Sequence, residues 1–286
     1  MIIPKSTFIQ IGGGLGNQLF IWATAHLLNL EHEIPINIVF NHDRYTAKNQ
    51  FIEISDLVKS CTHDIKLSQS PYLNILFKSR DKFFNNRQSL SAIFDKYLKI
   101  QTYDPNLGNV HTSEFRRFVR GSFINVSVLD SLPTEIIYEL ESYISKINLE
   151  SLLLPKNNQW QTLHIRRGDL RTQESPEILA FNSFNDLVDP DLQLIITTDD
   201  SSHRNAIECA FPNARILDEK QIDPWQALAL MANGRQLIAA NSTLSWWASV
   251  ISIRKRHRIF APSIWKDQNL AIKEIDYYQA IFDRNI

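Results

Sequence analysis

In the C-terminal half of this chain, short apolar runs bounded by polar turns alternate with longer segments of helical period. Strands are predicted at 161–166, 192–198, 214–217, 236–240 and 258–261, with helices starting near Ser201, Asp223 and Ser242. Strands alternating with helices imply a parallel sheet with right-handed crossovers. In such sheets ligands bind beyond the carboxyl ends of the strands. Arg166, Asp199 and Asn241 each fall just past a predicted strand end. Side chains of a strand alternate between its faces, so Leu163 and Ile165 can enter a core while His164 and Arg166 share the opposite face. On the helix after Ser242, Leu244, Trp247 and Ile251 follow helical spacing, which places Trp247 in a core and leaves Trp246 more open, able to line a pocket.

The N-terminal half opens with a predicted strand at 7–11, a glycine loop, an apolar helix over about 17–30 and a second strand at 35–40. The stretch 60–120 is rich in Lys, Arg, Phe and Asn and has weak periodicity, with helices expected near 70–80 and 88–98. No internal repeat is visible. Pro155 and two asparagines make 151–158 the best linker. The expected domains are therefore 1–150 and 151–286, two nucleotide-binding-like α/β halves.

The richest chemistry lies at His164-Ile-Arg-Arg-Gly-Asp169. Arginine is always charged, and its planar fork of donors fits phosphate oxygens. An arginine fixed at a strand end, with a glycine allowing close approach, suits a departing diphosphate. The competing reading is a structural ion pair of Arg167 with Asp169. Asp199 and Asp200 end the run 192–198, where a carboxylate can accept two hydrogen bonds from guanine; alternatively Asp200 or Ser201 caps the next helix. Asn241-Ser242-Thr243 precedes a helix whose first N–H groups can receive phosphate, with Ser or Thr as its cap. The glycine loop, Gly12-Gly-Gly-Leu-Gly16, follows a strand and precedes a helix, but Asn17 stands where a dinucleotide fingerprint needs its last glycine, and no Walker lysine follows. It is either a tight packing turn or a ligand-facing loop in which Asn17 offers amide donors.

Composition narrows the classes. The chain has 286 residues, is 44% hydrophobic and 21% charged, and has a net charge of -1, so no global field argues for nucleic acid. Cys61 and Cys209 match no redox or metal spacing and read as buried thiols. The N-terminus does not resemble a signal peptide, and no stretch reaches the roughly 18 apolar residues of a spanning helix. Asp189-Pro-Asp191 matches a D-x-D metal motif but precedes a strand and reads as a loop. No His/Asp/Glu group has metal-ligand spacing in the sequence, so no metal requirement is expected. The basic run Arg254–Arg258 reads as a solvated loop, or as a contact with anionic lipid.

Three segments together resemble the α-1,2-fucosyltransferases of glycosyltransferase family 11: Gln10-Ile-Gly-Gly-Gly-Leu-Gly-Asn-Gln-Leu-Phe20, His164-Ile-Arg-Arg-Gly-Asp169 and Asn241-Ser-Thr-Leu-Ser-Trp-Trp-Ala248. Gly121-Ser-Phe-Ile-Asn125 is similar to a fourth stretch. The resemblance runs from residue 8 to about 265, with the motifs in the family's order. It implies an α/β, GT-B-type fold, two Rossmann-like domains facing a cleft. It also implies inverting, metal-independent transfer of L-fucose from GDP-β-L-fucose to a sugar hydroxyl, typically the 2-OH of galactose, in surface polysaccharide, O-antigen or oligosaccharide synthesis. No cofactor is implied.

On this resemblance Arg166 stabilises the leaving GDP, His164 helps hold the nucleotide and Asp169 braces the arginines. Asn17, Asn241, Ser242 and Thr243 lie toward the donor, with the serine and threonine at its diphosphate. Asp199 or Asp200 faces the guanine. Glu174 is a candidate base, by likeness to α-1,6-fucosyltransferases with an H-x-R-R-x-D stretch; the other reading is a solvated glutamate. Leu170 and Ile21-Trp22 depart from the family pattern and leave the acceptor, a galactose-containing and in one reading lipid-linked glycan, unspecified. The implied location is the bacterial cytoplasm, at the inner membrane face. Another linkage or GDP-sugar on the same fold, and a non-catalytic glycan- or nucleotide-binding module, are the alternatives.

Overall fold

The computed structural model describes residues 6–40, 53–61, 63–69, 100–103, 118–121, 132–167, 181–262, 264–265, 268–269 and 276–278. The chain forms two compact units, Met1–Leu140 and Glu141–Ile286.

The first unit is built on a five-stranded sheet of order β3-β2-β1-β5-β4. Its strands are β1 (Thr7–Gln10), β2 (Ile36–Phe40), β3 (Ile65–Gln69), β4 (Ile100–Tyr103) and β5 (Phe118–Gly121). Every pairing is parallel. Between β1 and β2 runs α1 (Leu15–His32), which begins two residues earlier than the sequence suggested. It is apolar around much of its circumference, and Leu15, Leu19, Phe20, Trp22, Ala25 and Leu28 are all buried. A helix apolar on more than one face is a core helix. α2 (Ser55–Ser60) follows, and α3 (Thr134–Ser145) carries the boundary between the units. The helices expected near 70–80 and 88–98 lie outside the described residues.

The second unit contains a six-stranded sheet of order β13-β10-β9-β6-β7-β8. Its strands are β6 (Trp160–Ile165), β7 (Gln193–Thr198), β8 (Arg215–Asp218), β9 (Gln236–Ile238), β10 (Arg258–Pro262) and β13 (Asp276–Tyr278); β11 (Ile264–Trp265) and β12 (Gln268–Asn269) form a small antiparallel pair. All pairings in the large sheet are parallel. The chain leaves β6 toward β7 and β8, then returns to β9 on the other side of β6. The strand order therefore reverses between β6 and β9, where α/β sheets open a ligand crevice.

Both faces of this sheet are covered. Leu163, Ile165, Leu194, Ile196 and Ile216 pack with Phe184, Ile207 and Phe211, the last two from or just after α4 (Arg204–Ala210). The opposite face, with Trp160, Ile195 and Leu217, packs on Leu230 of α5 (Pro224–Asn233). Thr162 Oγ1 donates to Leu230 O at 3.3 Å from that same face. The alternation along β6 is the expected one, but the face carrying His164 is not open: all six residues of β6 are buried. A sheet built from parallel crossovers is covered by helices on both sides, so alternation cannot separate core from site.

Helix ends follow local chemistry. Asp223 caps α5 in a reciprocal capping box with Gln226, and Pro224 occupies the first turn. Ser242 caps α6 (Thr243–Arg254), its Oγ accepting from Leu244 N at 3.2 Å. Trp247 is fully buried as expected, but Trp246 is 3% exposed, which corrects its reading as an open residue. Its ring packs edge to face on Trp247, with centroids 5.0 Å apart. The thiols also differ from expectation: Cys61 is half-buried and Cys209 exposed. Cys209 lies on the outer side of the short α4, where only Ile207 is buried. Among the described residues no helix is long and apolar enough to cross a membrane.

Candidate functional site

The candidate site lies at the carboxyl edge of the second sheet. In the parallel register Leu163 of β6 stands beside Ile238 of β9 and Ile196 of β7. Continuing along each strand brings Arg166, Asn241 and Asp199 to one edge. The sequence thus delivers three polar groups from three segments to the reversal point.

Arg166 is held but reachable. Its Nη1 lies 2.6 Å from Asp199 Oδ2, with the two side chains 33% and 23% exposed. The other oxygen of Asp199 accepts the Arg167 backbone N–H at 2.8 Å. One carboxylate therefore fixes both the backbone turn after β6 and the guanidinium on it. Arg167 points elsewhere. It is buried, its Cζ sits 4.6 Å from the centre of the Phe181 ring, and its Nε is 3.9 Å from Asp200 Oδ2. The expected partner of Arg167, Asp169, lies outside the described residues, as does Glu174.

Asp200 is an interior hub. Its Oδ1 accepts from Ser202 Oγ at 2.6 Å and from His203 Nδ1 at 3.0 Å, and its backbone N–H donates to Thr198 Oγ1 at 3.0 Å. It precedes a short 3-10 turn, Ser201–His203, and its carboxylate ties side chains of that turn without accepting a capping backbone N–H. Of the two aspartates, Asp199 is the more accessible.

His164 is buried and hydrogen-bonded through Nδ1 to Ser245 Oγ in the first turn of α6. This contact sets the N-terminus of α6 against the end of β6. Burial drives the His164 pKa from its ordinary value down to about 4, opposed by Asp199 and assisted by Arg166. The imidazole is thus a neutral positioning group at physiological pH. A depressed histidine has a definite sign for stability: between its unfolded value near 6.5 and about 4, the unfolded chain binds more protons. Stability is therefore fully present above that window and falls as pH is lowered through it. The urea midpoint should decline from pH 7 to pH 5 with a shallower slope in His164→Gln. An identical slope in the variant would remove His164 from this account.

At the start of α6, Asn241 is 4% exposed and its Oδ1 has no hydrogen-bond partner. Helix geometry leaves the first-turn amides of α6 without intrahelical acceptors. The Ser242 hydroxyl serves Leu244, and of the neighbouring first-turn residues Thr243 is partly exposed while Ser245 is fully buried.

The glycine loop belongs to the first unit. Gly13 has φ +76°, and a Cβ there would come within 2.3 Å of Asn17 Nδ2. Glycine is needed at this position on both counts. Asn17 is partly exposed in the first turn of α1, folded over Gly13. The sequence reading missed its neighbour. Gln18 is fully buried; its Nε2 donates to Gly13 O at 2.9 Å and its Oε1 accepts from Glu53 N at 2.9 Å. It stitches the loop to the segment before α2. A glutamine just after the glycine loop, on an otherwise apolar helix, was the available signal.

The other sequence candidates have structural partners. Asp189 packs at the amino end of the sheet, far along β6 from Arg166, where its carbonyl and N–H bond the Gln161 amide. That supports a loop for Asp189-Pro-Asp191. In the basic run, Arg254 Nε pairs with Glu141 Oε1 at 3.0 Å, Lys255 Nζ donates to Asn233 Oδ1 at 2.5 Å, and Arg258 lies over Phe260. Those three cations have partners within the second unit.

No family model and no curated relative matches the chain. Among solved structures, the NodZ α-1,6-fucosyltransferase soaked with GDP-fucose aligns over 98% of this chain and 100% of its own, at 11% identity and a TM-score of 0.50. The E. coli ADP-heptose lipopolysaccharide heptosyltransferase II aligns over 97% of this chain and 94% of its own, at 11% identity and a TM-score of 0.49. Fucosyltransferase NodZ from Bradyrhizobium aligns over 87% and 94%, at 13% identity and a TM-score of 0.49. Identities this low speak to fold alone, and the first alignment carries that conclusion: the chain has an α/β, GT-B-type fold with two Rossmann-like units.

Proposed function

We propose that this chain is an inverting, metal-independent fucosyltransferase, moving L-fucose from GDP-β-L-fucose to a sugar hydroxyl, with the 2-OH of galactose as the first acceptor to try. The observation that carries the reading is Arg166, pinned by Asp199 at the reversal point of the second sheet and level with the N-terminus of α6. A guanidinium and a helix N-terminus on one edge form a receptor for a diphosphate. Both can act on charge that grows as the glycosidic bond to GDP breaks.

Each residue then has a task. Arg166 meets the departing diphosphate, and the amide and hydroxyl of Thr243 meet the same oxygens. Ser242 and His164 hold that helix turn in place. The buried Asn241 oxygen is an acceptor that a donor hydroxyl or amine could satisfy. On the family resemblance Asp199 or Asp200 faces the guanine; here the Asp199 oxygens engage Arg166 and the Arg167 N–H, and Asp200 lies beside Arg167. Asn17 is assigned to the donor, Glu174 to the acceptor proton and Asp169 to bracing the arginines, on the family resemblance alone. The departures at Leu170 and Ile21-Trp22 bear on the acceptor.

The deciding experiment is GDP release from GDP-fucose in EDTA, across a panel of galactose-terminated acceptors. Acceptor-dependent release establishes the transferase. Release only from another sugar nucleotide keeps the site and replaces the donor. Silence with every donor, in EDTA and in zinc-supplemented buffer alike, leaves a glycan- or nucleotide-binding module and ends this proposal.

A further inference from the structure

Away from the strand-end site, the first unit gathers a second set of reactive side chains. His26 lies on α1, His63 just ahead of β3 and Glu139 on α3. One ligand atom from each falls within 4.8 Å of the others. The two imidazoles meet edge to face, centroids 4.8 Å apart, and His63 Nδ1 is 3.9 Å from Glu139 Oε1. The Cys61 sulfur lies 3.6 Å from His26 Nε2, receives the Trp22 indole N–H at 3.3 Å and donates to Leu57 O at 3.2 Å.

An ordinary core does not require this arrangement. His26 is fully buried, and its Nδ1 has no hydrogen-bond partner, a cost that an apolar residue would avoid. Its Nε2 is the ring atom that faces the Cys61 sulfur, so that nitrogen is the one a shared ion would take.

We propose that His26, His63 and Glu139 bind a divalent transition metal of the zinc type, with the Cys61 thiolate as fourth ligand. Two imidazoles, a carboxylate and a thiolate are the nitrogen, oxygen and sulfur donors that zinc accepts. Bonds of about 2.0–2.3 Å in a tetrahedron put ligand atoms about 3.3–3.7 Å apart; the 4.8 Å spread of the His26, His63 and Glu139 atoms closes with side-chain rotations of the order of an ångström, and the Cys61 sulfur already lies 3.6 Å from His26 Nε2. The side chains of His63 and Glu139 are 25% and 24% exposed, which gives an ion access from solvent. On binding, the Cys61 thiol loses its proton to solvent and its lone pair forms the metal–sulfur bond. With all four positions filled by protein the site is structural. It ties α1 to the turn before β3 and to α3, independently of the proposed transfer chemistry.

The test uses the full chain, stripped with EDTA, dialysed, and titrated first with cobalt(II) chloride and then with zinc sulfate. The expected result is a single ion per chain, with visible absorption of tetrahedral intensity and a near-ultraviolet thiolate-to-cobalt band, both lost as zinc displaces cobalt. Zinc should also raise the thermal midpoint. Cys61→Ser should lose only the thiolate band. His63→Ala with Glu139→Gln, both partly exposed positions, should weaken binding by at least about 10- to 100-fold, since even outer partners of a metal ligand cost that much. A wild-type chain that takes up no ion, or binding unchanged in the double variant, would overturn the site. Should the double variant not fold, the wild-type stoichiometry and absorption decide alone.

Discussion

Replacing Arg166 by alanine is expected to lower kcat with GDP-fucose by about 100- to 1000-fold, the usual cost of a pre-aimed donor that meets charge developing in the transition state. KM should move far less. The fold should survive, because Arg166 is one-third exposed and the ion pair it makes is with a partly exposed Asp199. Pairs of that kind contribute about 0–1 kcal/mol. Lysine should recover only part of the rate, since it restores a point charge without the planar fork. Steady-state kinetics and urea unfolding of the same two variants check both halves. Turnover within tenfold of the parent in Arg166→Ala would remove this residue from the chemistry.

Asp200→Ala carries the largest expected effect on stability. Arg167 and Asp200 are 4% and 2% exposed, and the carboxylate also receives Ser202 and His203. Removing it takes the carboxylate from this buried pair, and breaking such a pair costs about 3–5 kcal/mol. Replacing both members with apolar residues of similar volume, Arg167→Met with Asp200→Leu, should recover much of that loss, because the desolvation of two charges disappears with them. Denaturant unfolding of the two singles and the double closes the cycle. A loss below about 1 kcal/mol in Asp200→Ala would mean that Arg167 does not depend on this carboxylate.

Five strands of the second unit, β6 to β10, were legible because they are short, apolar and separated by strong stop signals; β11, β12 and β13 were not predicted. Pro224 behind Asp223 and Ser242 ahead of Thr243 announce α5 and α6 to within a residue. Convergence of Arg166, Asp199 and Asn241 followed from strand ends alone. What could not be read was depth. His164 sits on the predicted face, yet α6 covers that face, and no pattern along β6 carries this information. Nor could the sequence distinguish Asp199, which grips Arg166, from Asp200, which grips Arg167, since adjacent residues differ here only in direction. In the first unit, β3, β4 and β5 fall in or beside the stretch of weak periodicity and were missed. The His26, His63 and Glu139 group was invisible for a simpler reason: its members come from three separated segments, and spacing rules see only neighbours.

At the amino edge of the second sheet, Gln161 and Gln236 are both buried, with Gln236 Nε2 donating to Gln161 Oε1 and to Leu187 O at 2.8 Å each. Gln161 in turn clasps Asp189. Sliding β9 by one residue along β6 would turn the Gln236 amide to the other face and leave this knot of donors and acceptors unmet. The knot therefore acts as a ruler: by fixing where the two strands start level, it fixes where they end level. The height of Arg166 relative to the first turn of α6 is metered from the opposite rim of the sheet, by glutamines that no donor is proposed to touch.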